Sequence, residues 1–557
     1  MMKSICPLLA LMLLFQCTTP ESATESQATT SESVEAPFDW RNATIYFLLT
    51  DRFNNGETGN DLNFGRDREA AKLRGFMGGD IAGITQKIEE GYFDSLGVNA
   101  IWFTPVVEQI HGATDEGTGL TYGYHGYWAR DWTTLDPNFG TLDELATLVE
   151  TAHEHDIRIL LDVVANHTGP VTPQDPVWPN SWVRTDPTCT YQGYESTVEC
   201  TLVKNLPDIH TQKETEVDLP PQLLEKWEAE GRLEQEMEEL DAFFERTGYP
   251  RAPKYYLIKW LTDYVRELGV DGFRVDTAKH TEAEIWEELK KEALAALREW
   301  KEANPGKKLD DNPFWMVGEV YNYSAGSGQP YDYGDTTVNF FDHGFESLIN
   351  FDFKYDAQND YEAIFTKYDT LLHGGMLDGV NVLNYLSSHD DGSPFDPQRT
   401  RSEEAANKLL LAQGGAQIYY GDESDRSLII PGTQGDATLR SFMNWEAIQQ
   451  TDSVQQVLTH WNKLGQFRKQ HVAVGAGRHQ KIADMPYTFA RTYSQDGVED
   501  KVVVALDADA GEKEISVGDT FAEGTTLRDY YSGQTAEVSG GAVIIDSPHS
   551  VVLLSAR

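Results

Sequence analysis

The sequence predicts an α/β protein: a (β/α)8 TIM barrel with an insertion after its third strand and a C-terminal antiparallel β-sandwich. Three observations predict it. From Ala43 onward, short apolar runs alternate with longer helical patterns, the signature of repeated βα units and a parallel sheet. Eight such runs occur, the number that closes a barrel. After about Lys469 the helical patterns stop and short strand-like runs take over. At 557 residues the chain also exceeds the size at which one core stops growing, so more than one domain is expected.

The N-terminus reads "MMKSICPLLALMLLFQC", a Lys, a short apolar run and Cys17, followed by a Ser/Thr/Glu-rich tether over 18–37. An apolar run of this length is a signal-peptide core and too short for a stable membrane span, so export is expected. An apolar run that ends at Cys and continues into a polar tether resembles a bacterial lipoprotein. Cys17 would then be acylated, become the mature N-terminus and anchor the protein to a membrane. Gln16 stands where such proteins usually carry a small residue, and cleavage of residues 1–17 with release to the periplasm or medium is the alternative.

The barrel is expected over 38–167 and 251–468. Its strand candidates are "TIYFLLT", "AIWFTP", "RILLDVV", "DGFRVD", "FWMVGE", "INFDF", "VLNYLSSHD" and "AQIYYGD". The clearest helix is "EAEIWEELKKEALAALREWKEANPG", where Ile285, Leu289, Ala293, Ala296 and Trp300 recur near helical spacing, with Gly306 just beyond the end. The insertion, 168–250, is too long for a plain loop and reads as functional or as a small domain. Within it, "EKWEAEGRLEQEMEELDAFFERTG" reads as a solvated helix. Cys189 and Cys200 read, in an oxidising compartment, as a local disulfide closing a surface loop. Over 469–557, "YTFARTY", "KVVVALDA", "AVIIDS" and "SVVLLSA" read as antiparallel strands.

The net charge of -45 argues against nucleic acid, whose binding draws on Lys and Arg. A neutral or cationic ligand is expected instead, and such acidity also suits solubility in salt.

The chemistry is expected at the C-terminal ends of the barrel strands. Asp162, Asp276, Glu319 and Asp390 stand at four such ends. Arg274 and Asp276, two apart on a strand, point to the same side, and a guanidinium beside a carboxylate holds it ionised. Glu319 follows an apolar strand, where a carboxyl tends to keep its proton. Two carboxyls in opposite protonation states suit glycosidic cleavage: one attacks carbon and the other protonates the leaving oxygen. Taken singly, each acid is equally well read as a cap for the following helix.

With their flanks, these residues carry a resemblance to the α-amylase family, glycoside hydrolase family 13, from about residue 38 to the end. The matching stretches are "AIWFTP", "YHGYW", "DVVANH", "LPDI", "GFRVDTAKH", "GEV", "NYLSSHD" and "QIYYGDE", in the family's order. "VEQIHG", "WARDWTTLDPNFG" and "PFWMVGE" look most like the periplasmic α-amylases of Gram-negative bacteria. The resemblance implies that 168–250 is the inserted B domain. It makes Asp276 the nucleophile, Glu319 the acid/base and Asp390 the stabiliser of the transition state, with Arg274 orienting Asp276. It places His167 and His389 on sugar hydroxyls and Tyr127 beneath the cleaved unit, with His125 and Trp128 lining the same pocket. Lys279 and His280 would reach the leaving-group side.

The resemblance also implies Ca2+, held by Asn166, Asp208 and the His280 carbonyl, with Asp162 as a neighbour of that site. A second Ca2+ is implied at "DRFNNGETGND" and "MGGD", through Asn55, Glu57, Asn60, Asp61, Gly78 and Asp80, although Glu57 replaces a smaller amide. The implied partner is an α-glucan (starch, dextrin or malto-oligosaccharide) and the expected state is a monomer. An α-1,4-glucanotransferase of the cyclodextrin-forming type would use the same carboxylates, and a non-catalytic starch-binding surface protein would keep the fold alone.

Overall fold

The computed structural model describes residues 38–66, 69–495 and 497–556; Cys17 and the tether lie outside them. Eight strands form the central sheet: β1 (Thr44–Leu48), β2 (Ala100–Phe103), β3 (Arg158–Val163), β4 (Gly272–Val275), β5 (Trp315–Gly318), β6 (Ser347–Asn350), β7 (Asn381–Tyr385) and β8 (Gly415–Tyr419). They close into a parallel barrel in the order β1–β8–β7–β6–β5–β4–β3–β2. Every residue of these strands is buried, which is why they read as continuous apolar runs: a parallel sheet is covered on both faces.

Helices follow the strands as the alternation predicts, with one exception. Between β5 and β6 the described residues hold only short 3-10 turns and a small hairpin of Tyr331–Asp332 against Thr337–Val338. The helix predicted at 282–306 spans Glu284–Ala303, and Ile285, Trp286, Leu289, Ala293, Ala296 and Trp300 form its buried face. Its C-cap is Asn304 rather than Gly306. The entry to β4 is set by Gly269, which ends helix Pro253–Leu268 at φ +74. A Cβ there would lie 2.3 Å from the Trp300 ring, so only glycine makes this turn toward Arg274 and Asp276.

Two expectations change. "INFDF" overlaps β6 only at Ile349 and Asn350, because the chain turns into helix Phe353–Asp356 directly afterward. The charged run 225–248 is part of two helices, Pro221–Ala229 and Leu233–Thr247, separated at Gly231 with φ +74. It is half buried rather than solvated: Trp227, Leu240, Phe243 and Phe244 face the core between acidic positions.

The C-terminal strands are β9 (Arg478–Asp484), β10 (Tyr487–Gln495), β11 (Val498–Leu506), β12 (Gly511–Ser516), β13 (Thr526–Asp529), β14 (Thr535–Glu537), β15 (Ala542–Ser547) and β16 (Val552–Ala556). Six make an antiparallel sheet, β9–β10–β11–β16–β13–β14, and β12 pairs with β15. Alternation along β11 divides two cores. Val502, Val504 and Leu506 join the barrel core, while Val503 and Ala505 join Ile515, Val543 and Ile545 in a second one.

Candidate active site

The register of the barrel builds the site. Arg274 on β4 lies beside Asp162 on β3, so both side chains share one level of the barrel. Arg274 is 1% exposed and donates through Nη1 to Asp162 Oδ1 and to Asp276 Oδ1, each at 2.8 Å. Its Nη2 lies 3.1 Å from Glu319 Oε2. One buried cation thus meets three carboxyl groups. Asp162 also accepts from Trp102 Nε1 at 2.9 Å and Tyr127 Oη at 2.8 Å, which fixes it behind Arg274.

Glu319 continues β5 and accepts from the Thr277 backbone N–H at 2.9 Å. Thr277 makes that reach with φ +50, a conformation uncommon for a β-branched residue and found where surrounding structure overrides local strain.

Three carboxyls on one buried guanidinium leave excess negative charge, which favours retention of a proton. Burial is the largest cause and pushes Glu319 up to about 8, helped by Asp276 and Asp390 and opposed by Arg274. Burial pushes Asp276 up too, to about 6, with Arg274 the main force holding it down. The two titrate as a coupled pair. Their order puts the proton on Glu319 and the charge on Asp276 at neutral pH. Arg274 is the main force favouring the ionised form of Asp276, but its charge is divided among three acids and burial acts against it.

Asp390 follows β7 with a third of its side chain exposed, the most open of the three acids. Burial raises its pKa against Arg440 and Arg274. His389 stacks on Tyr127 with ring centroids 5.3 Å apart, and its carbonyl accepts from Arg440 Nε at 2.9 Å. His125 lies 5.8 Å from Tyr127, and its Nδ1 accepts from the Tyr127 N–H. His167 Nε2 is 3.0 Å from the Tyr127 carbonyl. Burial drives His125 and His389 well below the usual imidazole range and His167 to about 4, so all three are neutral hydrogen-bonding groups at pH 7. Trp128 is 5% exposed and packs with Ile110 and Leu206, its ring edge-on to His125. It thus packs against His125 from behind.

Lys279 and His280 follow β4 in a single turn. Lys279 Nζ donates to the Tyr321 carbonyl and the Tyr331 hydroxyl, each at 2.9 Å, and burial lowers its pKa to about 8. His280 Nδ1 is 3.0 Å from the Thr197 carbonyl, inside the loop closed by the Cys189–Cys200 disulfide.

Among the described residues no group of three or more His, Cys, Asp and Glu could hold a metal, so the candidate ligand sets depend on amides and carbonyls. Asn166 and Asp208 are brought together by the bridge His167↔Asp208 and by the Ile209 N–H bond to the Asn166 carbonyl. Asp208 is 2% exposed, its Oδ2 has no hydrogen bond, and burial pushes it up to about 9 against Arg184, whose Nε is 3.0 Å away. Near the N-terminus, Asn55 Oδ1 and Asn60 Oδ1 are buried without a partner. Asp61 accepts from Asn55 Nδ2, and Asp80 caps helix Ile81–Glu89. Gly78 has φ +88, and a Cβ there would meet Asn55 and Asp61 within 2.7 Å. Glu57 differs: it is exposed and its carboxylate folds onto the Gly59 N–H.

Sequence reasoning left out Trp102, Arg440 and the backbone N–H of Thr277, and it assigned Asp162 to the neighbourhood of calcium. The signal for Asp162 was its strand-end position, shared with Asp276; that it faces the same guanidinium follows only from the β3–β4 register.

The family model for the α-amylase catalytic domain matches residues 47–430. The chain is 38% identical over 524 residues to the periplasmic α-amylase of Escherichia coli K12, covering 83% of this chain and 72% of that protein. It is 26% identical to a cyclomaltodextrin glucanotransferase of Bacillus sp. strain 38-2, covering 86% of this chain but 62% of that longer protein. Among solved structures, an Anoxybacillus α-amylase shares the fold with a TM-score of 0.63 at 23% identity, covering 93% of this chain and 99% of that one.

Proposed function

The chain belongs to the α-amylase family of glycoside hydrolases, and from that footing we propose that it cleaves internal α-1,4-glucosidic bonds of starch, dextrins and malto-oligosaccharides with retention of configuration. The observation that carries this reading is the single buried Arg274 guanidinium touching both Asp276, at 2.8 Å, and Glu319, at 3.1 Å, which gathers the two carboxyls on one cation. Two carboxyls gathered on one guanidinium suit the nucleophile and acid of a retaining enzyme, roughly 5–5.5 Å apart, whereas inverting enzymes keep them roughly 6.5–9.5 Å apart to admit a water.

In this mechanism Glu319 protonates the departing oxygen while Asp276 attacks the anomeric carbon, giving a glycosyl-aspartate and a free chain end. Glu319, now ionised, then takes a proton from water as it attacks the same carbon and releases Asp276. Asp390 steadies the positive charge that develops on the sugar ring. The neutral His125, His167 and His389 are set to hydrogen-bond its hydroxyls, with Tyr127 beneath it. Lys279 and His280 hold the leaving chain. The relative's name, cyclomaltodextrin glucanotransferase, marks the alternative outcome of the second step, in which a sugar replaces water.

Calcium fits the residues present. Asp208 Oδ2, Asn55 Oδ1 and Asn60 Oδ1 are buried oxygens without hydrogen bonds, the hard donors Ca2+ prefers. Asn166, Asp208 and the His280 carbonyl would hold one ion. Asn55, Asn60, Asp61, Asp80 and the Gly78 carbonyl would hold a second, with Glu57 outside the set. Bound there, calcium would neutralise buried oxygens and brace loops, taking no part in the chemistry.

The division of labour we propose is a barrel domain over 38–167 and 251–468, a B domain over 168–250 and a sandwich over 469–557, acting as a monomer. Export to the periplasm fits the Cys189–Cys200 disulfide and the E. coli relative's compartment. Acylation of Cys17 is tested by palmitate labelling, where an unlabelled wild type rejects it. The function is tested by chromatography of early products from soluble starch and by the anomeric form of the new reducing ends. Linear α-configured oligosaccharides support it; cyclic or elongated products point to transfer, and binding without products to a non-catalytic role.

A further inference from the structure

Three segments converge beside Lys279 and His280. The first is the turn that carries them. The second is the loop closed by Cys189–Cys200, whose Thr197 carbonyl meets His280 Nδ1 at 3.0 Å. The third is the hairpin Tyr331–Asp332/Thr337–Val338, which fills the place of the missing helix between β5 and β6. Tyr333, buried in that hairpin, donates through Oη to the Lys279 carbonyl at 2.8 Å, and Tyr331 accepts from Lys279 Nζ. The hairpin and the disulfide loop therefore each grip one residue of the turn.

They also grip each other. The tip of the hairpin carries Asp335, whose Oδ1 accepts from the Tyr194 N–H at 2.9 Å. Its other oxygen presses on Gly193 so closely that a Cβ there would lie 2.3 Å from it. Tyr194 and Tyr333 meet edge to face, centroids 5.1 Å apart. Asp335 is exposed, and its side chain is attached to the backbone of the disulfide loop through the Tyr194 N–H.

We propose that Asp335 is a positioning residue: it latches the hairpin onto the disulfide loop and so fixes the leaving-side wall through which Lys279 and His280 meet the departing chain. This rests on the leaving-side role given above to Lys279. The catalytic carboxyls are held chiefly by Arg274 and the barrel strands, the turn adding only the Thr277 N–H to Glu319 at its start, so loosening the latch at Lys279 and His280 weakens the hold on the leaving sugars more than it disturbs the chemistry.

The test compares maltoheptaose, which fills the leaving side with glucose units, with an aryl α-maltotrioside, whose leaving group has none. In Asp335→Ala the KM for maltoheptaose should rise about five-fold, the effect of losing one charge-assisted bond. kcat/KM for the aryl substrate should stay within about two-fold. Asp335→Asn keeps an acceptor for the Tyr194 N–H and should recover most of the loss. Cys189→Ser/Cys200→Ser should shift KM in the same direction, and adding Asp335→Ala to it should bring less than the sum of the two effects, since both act on one loop. An unchanged KM in Asp335→Ala, or equal losses on both substrates, overturns the latch. A wrong leaving-side assignment shows differently: Lys279→Ala would then leave maltoheptaose KM unchanged, whereas a failed latch leaves Lys279→Ala impaired and Asp335→Ala normal.

Discussion

Replacing Glu319 with Gln keeps its shape and removes its proton, which isolates the consequence of burying an acid beside Asp276. Burial raises the folded pKa of Glu319 to about 8, so the folded chain retains a proton that the unfolded chain gives up near pH 4.3. For a carboxyl shifted upward, the sign is fixed: stability is lost as pH rises between those two values, at about 1.4 kcal/mol per unit. Sharing of the titration with Asp276 reduces the total, leaving on the order of 2–4 kcal/mol by pH 8. Denaturant unfolding of wild type and Glu319→Gln at pH 5, 6, 7 and 8 in one salt concentration measures it, because groups that do not couple to Glu319 cancel in the difference and the coupled Asp276 is part of the quantity sought. The variant should be nearly equal to wild type at pH 5 and gain steadily to pH 8, while its turnover falls by about 10³ or more. Parallel stability curves across that range would refute the claim that the site holds Glu319 protonated.

Asp276→Asn should bind maltoheptaose within a few-fold of wild type by calorimetry while turnover drops by roughly 10⁴ or more, and near-normal turnover would remove Asp276 from the nucleophile's role. The kcat/KM profile should be bell-shaped, with an acid limb near 6 from Asp276 and an alkaline limb near 8 from Glu319. Arg274→Lys, lacking the planar fork, should move the acid limb upward and cost about 3–5 kcal/mol of stability; an unmoved limb would count against the shared guanidinium. Chelation should lower Tm, and Asn55→Ala/Asn60→Ala should remove one calcium ion from the stoichiometry measured by calorimetric titration. A chelated protein with unchanged Tm would exclude both ions.

The barrel was legible because parallel strands buried on both faces leave uninterrupted apolar runs, and all eight were read at or near their positions. What patterning could not supply was anything decided between segments. Spacing shows that Arg274 and Asp276 share a side of β4, yet it says nothing of Asp162, 112 positions earlier, or of Glu319, 45 positions later, both of which draw on the same cation. A pairwise reading therefore assigned Arg274 wholly to Asp276 and expected a firmly ionised nucleophile. In the assembled site one guanidinium serves three acids, and burial, reinforced by the neighbouring carboxyls, outweighs it and leaves a proton on Glu319. The same guanidinium lowers both acids, touching Asp276 at 2.8 Å and Glu319 at 3.1 Å. The proposed acid and nucleophile thus share one cation as well as their burial, and that cation reaches both only through the β3–β4–β5 register.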